Sequence, residues 1–559
     1  MEKNRLPIGV SDFRKLRENN YYYVDKSHFI REIVEASAEI ILLPRPRRFG
    51  KTLNLNMLKV FFEKNKTDAA ALFKDLLIKE SPCFNEYHGK YPVIFLTLKD
   101  VKHANWFQCC KNLKSIIYKE YSRHRYLLDG DLLFPEEKTL FENMLQGTAD
   151  ITDHEKSLLV LSEFLYRYYN QPVVILIDEY DTPLHAGYTN GYYEEIIGFM
   201  RNFLSGGLKD NPHLFKGVLT GILRVAKESI FSGLNNLGVY TILDEEFSDS
   251  FGFTEDDTRR LLCEYEILDR FDEVSRWYDG YLFGGVTIYN PWSIVNYANS
   301  KSGTLKPFWI NTADTSIIDR LATAGGKEIR EEIGQLLEGK SIERPVYETI
   351  VMRDLDLRDD LLWSFLLFSG YLKSVGNAVY RNLYQLAIPN EEVKLAYEEL
   401  VIRWFSEKIA SNCLLEMLGA LSSSNMDLFE RLLRKIINQV MSFHDFGNDP
   451  EKVYHALVLG MLVWLGGKYD IRSNRESGYG RYDIMLNPKD PRGTGIIIEF
   501  KLVEKKAENA HEQVLENALK QIKDRGYAVE LQASGVRNIL EIAVAFKGKQ
   551  FWLKHRVTG

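Results

Sequence analysis

Apolar residues in the first part of the chain fall into short unbroken runs at Glu39–Leu43, Pro92–Leu98, Pro172–Asp178 and Phe215–Gly221, which predict buried strands. Between them the period lengthens to that of helices, as in Leu53–Lys64 and Tyr193–Leu204. Strands alternating with helices predict an α/β domain with a mostly parallel sheet covered on both faces. Phe251 to about Arg344 reads as mainly helical and contains an aromatic, Gly-rich stretch, Trp277–Ser293; a small helical lid beside the core is expected there. Asp359–Phe368 reads as a helix, and GYLKSV and YRNLYQLAIP follow as two strands with GNA at the turn. Helix then hairpin is the tail of a winged helix and also fits another small α+β connector. Asn390–Ala420 and Asp427–Phe443 are amphipathic helices. A helix at Val453–Leu465 precedes strands near Tyr469–Ser473, Arg481–Leu486, Gly495–Leu502 and Ile539–Phe546, with a helix from Ala507 to about Asp524 between the last two.

At 559 residues the chain is too long for one hydrophobic core, and three or four domains are expected. No repeat or low-complexity tract interrupts it. Its 45% hydrophobic and 27% charged residues are ordinary for a soluble globular protein. No apolar run reaches the roughly 18 residues of a membrane span, and the start, MEKNRLPIGVSDF, has no apolar signal-peptide core. The five cysteines form no CxxC pair. A disulfide framework or a cysteine zinc site is not expected, and a reducing cytoplasm fits. The net charge of −7 is unevenly spread. From Arg431 onward 21 Lys and Arg face 15 Asp and Glu, a surplus of six, so the remainder carries −13. A basic tail on an acidic body is what a phosphate-binding module would show, although fluctuation gives the same numbers.

The segment Arg45-Pro46-Arg47-Arg48-Phe49-Gly50-Lys51-Thr52 follows an apolar strand and opens a helix, the context of a Walker A loop. Backbone N–H groups of Arg47, Arg48, Phe49 and Gly50 would cradle phosphates at the helix N-terminus. Lys51 would reach the β- and γ-phosphates of ATP, and the Thr52 hydroxyl would ligate Mg²⁺. The first glycine of such a loop is replaced by Arg45, so either the loop turns differently or nucleotide binding is weakened.

Val173–Glu179 is an apolar strand ending in two carboxylates, the form of a Walker B motif. Asp178 would hold Mg²⁺, and Glu179 would polarise the water that attacks the γ-phosphate. Two such motifs in order, each at a strand's C-terminal end, sit where open α/β sheets bind ligands. Thr220, ending a third core strand, is a candidate γ-phosphate sensor. Arg224 could contact phosphate or act as an arginine finger, and a purely structural role is open for both.

Near the C-terminus, Arg481-Tyr482-Asp483 leads into one strand and Ile496–Lys501 (IIIEFK) forms the next. Glu499 and Lys501 are two apart and share a face. Phosphodiester cleavage needs a divalent metal, Mg²⁺ or Mn²⁺, to activate water and offset charge. Asp483, Glu499 and the Phe500 carbonyl would ligate it, and Lys501 would orient or deprotonate the water. His455, on the preceding helix, could complete the metal site, though a lone helical histidine is more often structural. Arg475 and Arg481 could bind phosphate, and Gln521 and Tyr527 could lie near the site. A salt-bridged edge hairpin is the alternative for the whole cluster.

Together the stretches YYVDKSHFI, PRPRRFGKTLNLNML, LIDEYDTPL, LTGILRVAKESIFSGLNN, NRESGYGRYDIML and IIEFKL resemble bacterial predicted AAA-ATPase-like proteins with a C-terminal PD-(D/E)XK nuclease domain. The resemblance runs from about Leu6 to Tyr527, and the RPRRFGK loop is normal for that family. It implies ATP binding through Gly50, Lys51 and Thr52, Walker B residues Asp178 and Glu179, and a nuclease site of Asp483, Glu499 and Lys501. The expected fold is an ASCE/AAA-like P-loop NTPase core (1–245), a helical lid (246–344), a winged-helix middle region (345–430) and a PD-(D/E)XK α/β nuclease fold (431–559).

The expected function is an ATPase coupled to metal-dependent nuclease action, on DNA rather than RNA, in the cytoplasm, without membrane contact and with a homo-oligomer possible. One alternative is a nucleotide switch whose nuclease fold only grips nucleic acid or a partner. Another is a defence effector acting on nucleic acid.

Overall fold

The computed structural model describes residues 3–64, 69–224, 236–300, 303–310, 327–349, 359–406, 411–440, 458, 461–462, 465, 467–473, 476–477, 480–503, 510–547 and 550–558. The chain divides into two compact units, residues 1–315 with 341–393, and residues 316–340 with 394–559.

The first unit is built on a five-stranded, wholly parallel sheet. Its strands are β1 (Ile40–Pro44), β2 (Val93–Thr97), β3 (Val173–Asp178), β4 (Leu214–Gly221) and β5 (Leu237–Val239), in the order β2-β3-β4-β1-β5. Every residue of β1 and β3 is buried, which is why their sequences read as continuous apolar runs rather than alternations. The crossover after β1 is helix Lys51–Phe62, which buries Leu55, Met57, Leu58, Phe61 and Phe62. Because β4 lies between β1 and β3, the loop after β1 and the carboxylates after β3 open at the same edge of the sheet.

Helices Glu255–Glu264, Phe271–Tyr278 and Pro291–Ala298 follow, as a mainly helical region predicts. The Gly-rich aromatic stretch, however, contains an antiparallel hairpin of β6 (Tyr281–Phe283) and β7 (Val286–Ile288). It turns at Gly284 and Gly285, both with positive φ, a backbone setting glycine adopts at no steric cost. Beyond it, β8 (Ile342–Pro345), β9 (Lys373–Ser374) and β10 (Leu383–Ala387) form an antiparallel sheet in the order β8-β10-β9. Helix Asp359–Ser369 immediately precedes the β9–β10 hairpin.

The second unit is a mixed sheet packed on both faces. Strands β11 (Tyr469–Ser473), β14 (Ile484–Pro488), β15 (Gly495–Leu502), β16 (Ile539–Lys547) and β17 (Gln550–Thr558) lie in that order; β12 (Glu476–Ser477) and β13 (Gly480–Arg481) pair separately. Only β15 and β16 run parallel. Ile496, Ile498 and Phe500 face one core with helices Ser411–Ser422 and Met426–Val440. Ile497 faces the other, with Leu515, Leu519 and Ile522 of helix Ala510–Asp524. The period-2 alternation of β15 thereby sends Glu499 and Lys501 to the side of the second helix. Most of Val453–Leu465, His455 included, lies outside the described residues.

Candidate functional site

The backbone of the loop after β1 enters the left-handed region at Arg48 (φ 68°) and Gly50 (φ 88°), and not at Arg45. Position 45 therefore makes no conformational demand for glycine. Arg45 is instead a fully buried staple. Its Nη1 donates to the carbonyls of Pro44 (2.8 Å) and Tyr240 (2.7 Å), its Nη2 to that of Phe247 (3.1 Å), and its guanidinium lies over the rings of Phe251 and Phe283. Burial pulls its pKa down to about 10, which leaves it charged at neutral pH.

Lys51 is buried, and its Nζ donates to the Arg45 (2.9 Å) and Pro46 (2.8 Å) carbonyls, closing the loop into a ring. Burial lowers its pKa, while Glu179, Asp181 and Asp178 oppose that shift. Thr52 Oγ1 donates to Asp178 Oδ2 at 2.7 Å, and Thr220 Oγ1 donates to Asp178 Oδ1 at 2.8 Å. Thr97 Oγ1 approaches the same carboxylate at 3.4 Å. Three strands thus deliver one hydroxyl-bound, fully buried acid to the mouth of the loop.

Glu179 takes φ 52°, a setting uncommon for a residue with a side chain, and its Oε2 accepts from Thr182 Oγ1 at 3.2 Å. Of the remaining loop residues, Arg47 offers its carbonyl to Trp309, Arg48 is exposed with its guanidinium over Trp292, and Phe49 is buried against Tyr281 and Phe283. Arg224 is bridged through its backbone to Thr349, and its charge bears on Glu348, whose pKa burial raises.

Two features escaped the sequence. Asp181 is buried; its Oδ2 accepts from the backbone N–H of Ile222 (2.8 Å) and Leu223 (3.0 Å), with His185 Nε2 at 3.5 Å. Burial works against the charge, yet His185 and these N–H groups hold the carboxyl below its usual range. The neighbouring Tyr180 donates through its hydroxyl to the Leu223 carbonyl, so both residues fix the segment after Thr220. The second feature is Val24-Asp25-Lys26-Ser27 in the N-terminal segment. Asp25 accepts from Ser27 and Leu77 N–H, Ser27 Oγ accepts from Ile78 N–H, and Lys26 pairs with Asp257 at 2.7 Å. A capping Asp two residues before a Ser was the only local signal, because every other partner is distant in sequence.

In the second unit, the β14–β15 register pairs Ile484 with Ile498, and one step further sets Asp483 opposite Glu499. Asp483 Oδ2 accepts from the Phe500 N–H at 2.7 Å. Glu499 is buried; its Oε1 accepts from Lys501 Nζ at 2.8 Å and from Gln521 Nε2 at 2.5 Å, and the Gln521 amide also reaches Tyr527 Oη at 3.2 Å. Burial, then the charge of Asp483, pushes Glu499 up to about 7 against the pull of Lys501. Its other oxygen, Oε2, is buried without a hydrogen-bond partner among the described residues. A buried carboxylate oxygen with no donor is an electrostatic debt that a cation removes. Two carboxylates and a nearby carbonyl are the donor set hard divalent ions take, with water completing the shell, so the residues fit Mg²⁺ or Mn²⁺. Among the described residues no three His, Cys, Asp or Glu side chains converge. Arg475 lies outside the described residues, as does the side chain of Arg481.

Residues 7–231 match the family model described as predicted AAA-ATPase, and residues 449–556 match that of the PD-(D/E)XK nuclease superfamily. The chain thus joins an AAA-ATPase-like domain to a domain of the PD-(D/E)XK nuclease superfamily, the architecture the sequence motifs imply. The parallel sheet with its loop after β1 is the P-loop core, and the mixed sheet is the nuclease-type fold. The chain is also similar to a protein of Azotobacter chroococcum mcd 1 named "Uncharacterized protein in vnfD 5'region", 27% identical over 547 residues, 96% of this chain and 95% of that one. No helix among the described residues is long and apolar enough to cross a membrane.

Proposed function

We propose that this protein binds and hydrolyses ATP and that its C-terminal domain cleaves DNA with a divalent metal, under control of the nucleotide state. The observation that carries the nuclease reading is Glu499: a buried acid bonded to Lys501 and Gln521, with no donor to its second oxygen among the described residues. A merely structural ion pair satisfies its buried oxygens with protein donors.

In the first domain the loop N–H groups of Arg47 to Gly50 and Lys51 bind the phosphates. Thr52 and Asp178 hold Mg²⁺, Thr220 fixes the Asp178 carboxylate, and Glu179 takes the proton of the attacking water. Arg224 lies at the end of the segment that Asp181 anchors and completes the set as a phosphate contact. In the second domain Asp483, Glu499 and the Phe500 carbonyl hold the metal, whose chemistry when bound is to lower the pKa of water and to offset charge on the phosphate. Lys501 orients the nucleophile, and Gln521 keeps Glu499 in place. Nucleic acid, DNA in preference to RNA, is the partner, and the basic surplus from Arg431 onward supplies attraction to its phosphates.

The test incubates the full chain with linear and circular DNA plus Mg²⁺ or Mn²⁺, with and without ATP, beside Lys51→Ala and Asp483→Ala. Cleavage is expected in the wild type, absent in Asp483→Ala, and altered by ATP only when Lys51 is present. ATP hydrolysis with no cleavage under either metal would overturn the nuclease assignment in favour of a nucleotide switch.

A further inference from the structure

The phosphate loop is gripped from outside by residues that touch no phosphate position. Trp309, almost wholly buried, donates from Nε1 to the Arg47 carbonyl at 3.0 Å. Its backbone N–H donates to Glu392 Oε1 at 2.6 Å, and the Ser293 hydroxyl donates to Glu392 Oε2 at 2.7 Å. Glu392 is fully buried in the first turn of helix Glu391–Ser406. The turn itself is locked in place. Asn390 Oδ1 accepts from Val393 N–H, and its Nδ2 donates to the Asp279 carbonyl. Gly280, at φ 97°, lies so close that a Cβ would sit 2.1 Å from the Pro389 carbonyl.

We propose that Glu392 and Trp309 are positioning residues of the nucleotide site: Glu392 fixes Trp309, and Trp309 sets the Arg47 carbonyl, so that the loop's N–H groups are aimed before ATP arrives. Lys51 closes the ring from inside, on the Arg45 and Pro46 carbonyls, and Trp309 braces the next peptide from outside. A carbonyl held in one direction fixes the N–H of the next residue, in the same trans peptide plane, in the opposite one: bracing the Arg47 carbonyl sets the Arg48 N–H, a group a phosphate would meet. By linkage, whatever state of the helix start favours the brace is in turn favoured by bound ATP. This rests on the reading of Arg45–Thr52 as the ATP loop.

The test is equilibrium binding of a fluorescent ATP analogue with Mg²⁺ to the full chain, for wild type, Trp309→Phe, Glu392→Ala, Glu392→Gln and Lys51→Ala, each checked by circular dichroism and thermal melting. Trp309→Phe keeps the ring and loses the donor, and it should weaken binding roughly five- to tenfold, the worth of one hydrogen bond. Glu392→Ala should weaken it comparably although Glu392 does not touch the loop, and Glu392→Gln should restore most of the affinity. Combining Trp309→Phe with Glu392→Ala should cost little more than either alone, because they act in series. Folded Trp309→Phe and Glu392→Ala proteins that bind as wild type does, while Lys51→Ala does not, would overturn the relay and keep the ATP site. Equal or absent binding in wild type and Lys51→Ala would overturn the ATP site and the relay with it.

Discussion

The Thr52 hydroxyl donates to the Asp178 carboxylate at 2.7 Å across 126 residues of sequence. The pair exists because β4 separates β1 from β3 by a single strand, and Thr220 at the end of β4 grips the other oxygen of the same acid. On this geometry Asp178→Asn keeps the shape, accepts from one threonine hydroxyl and donates to the other, but removes the charge that a magnesium ion needs. Mg²⁺-dependent ATP hydrolysis should fall at least about a hundredfold. Binding of ATP in EDTA should stay within about twofold, since no phosphate-facing donor is lost. Both are read by a coupled phosphate-release assay and by titration.

Restoring glycine to the loop should do harm. Arg45→Gly strips three carbonyls of their donor and empties a volume lined by Phe251 and Phe283. A loss of about 3–5 kcal/mol of stability in the first unit is expected, with weaker ATP binding. Arg45→Lys should recover little, because a point-like ammonium cannot span Tyr240 and Phe247 at once. Thermal melting and ATP titration of both variants decide it; a Gly variant that melts as wild type would remove the staple.

The parts legible in sequence were those whose signal is local. β1 and β3 announced themselves because burial on both faces leaves an almost unbroken apolar run, and β4 and β15 because few polar residues interrupt theirs. The loop and the two acid clusters were legible because their chemistry demands adjacent residues. Several strands were not seen, β5 and β17 among them: β5 is three half-buried residues made a strand by pairing with β1, and β17 mixes Lys554, His555 and Arg556 into its pattern. Arg45, Lys26 and Asp181 were illegible as structural residues for a different reason. A buried charge is recognised by its partners, and Tyr240, Asp257 and Ile222 are brought to them only by the fold.

Asp181→Ala leaves the N–H groups of Ile222 and Leu223 buried without an acceptor and deletes a fold-stabilised charge. A loss of about 2–4 kcal/mol is expected. The wild-type carboxyl is held below its unfolded value, so its contribution is present above that value and lost as pH falls through the folded one. The melting gap between wild type and variant should therefore narrow toward acid. A gap that is constant from neutral pH to about pH 3 would contradict the charge-based account.

Gln521 holds Glu499 from the neighbouring helix and is itself held by Tyr527. Gln521→Ala should reduce DNA cleavage and Mn²⁺ affinity by about ten- to a hundredfold without altering ATP hydrolysis, the usual scale for a residue that orients a metal ligand. Calorimetric titration of Mn²⁺ separates this from damage to the fold, which the variant's melting curve reports. Unchanged metal affinity together with unchanged cleavage would remove Gln521 from the site.

Glu392 sets the direction of a pH effect in the first unit. Burial pushes its carboxyl from the ordinary glutamate value of 4.5 up to about 7, and the Trp309 N–H and Ser293 hydroxyl only partly oppose this. Between those values the folded chain binds a proton that the unfolded chain does not. The stability this group supplies is therefore complete below about pH 4.5 and is lost as pH rises through 7. A shift of this size corresponds to about 3 kcal/mol. Glu392→Gln, neutral throughout, should melt close to wild type at about pH 4.5 and above it at pH 8, the difference opening between about pH 4.5 and 7. Hydrogen exchange at residues 291–310 localises the effect to the segment Glu392 holds. A wild type that gains stability on Glu392→Gln from pH 5 to pH 8 would show that the carboxylate is paired, and that burial is not what governs it.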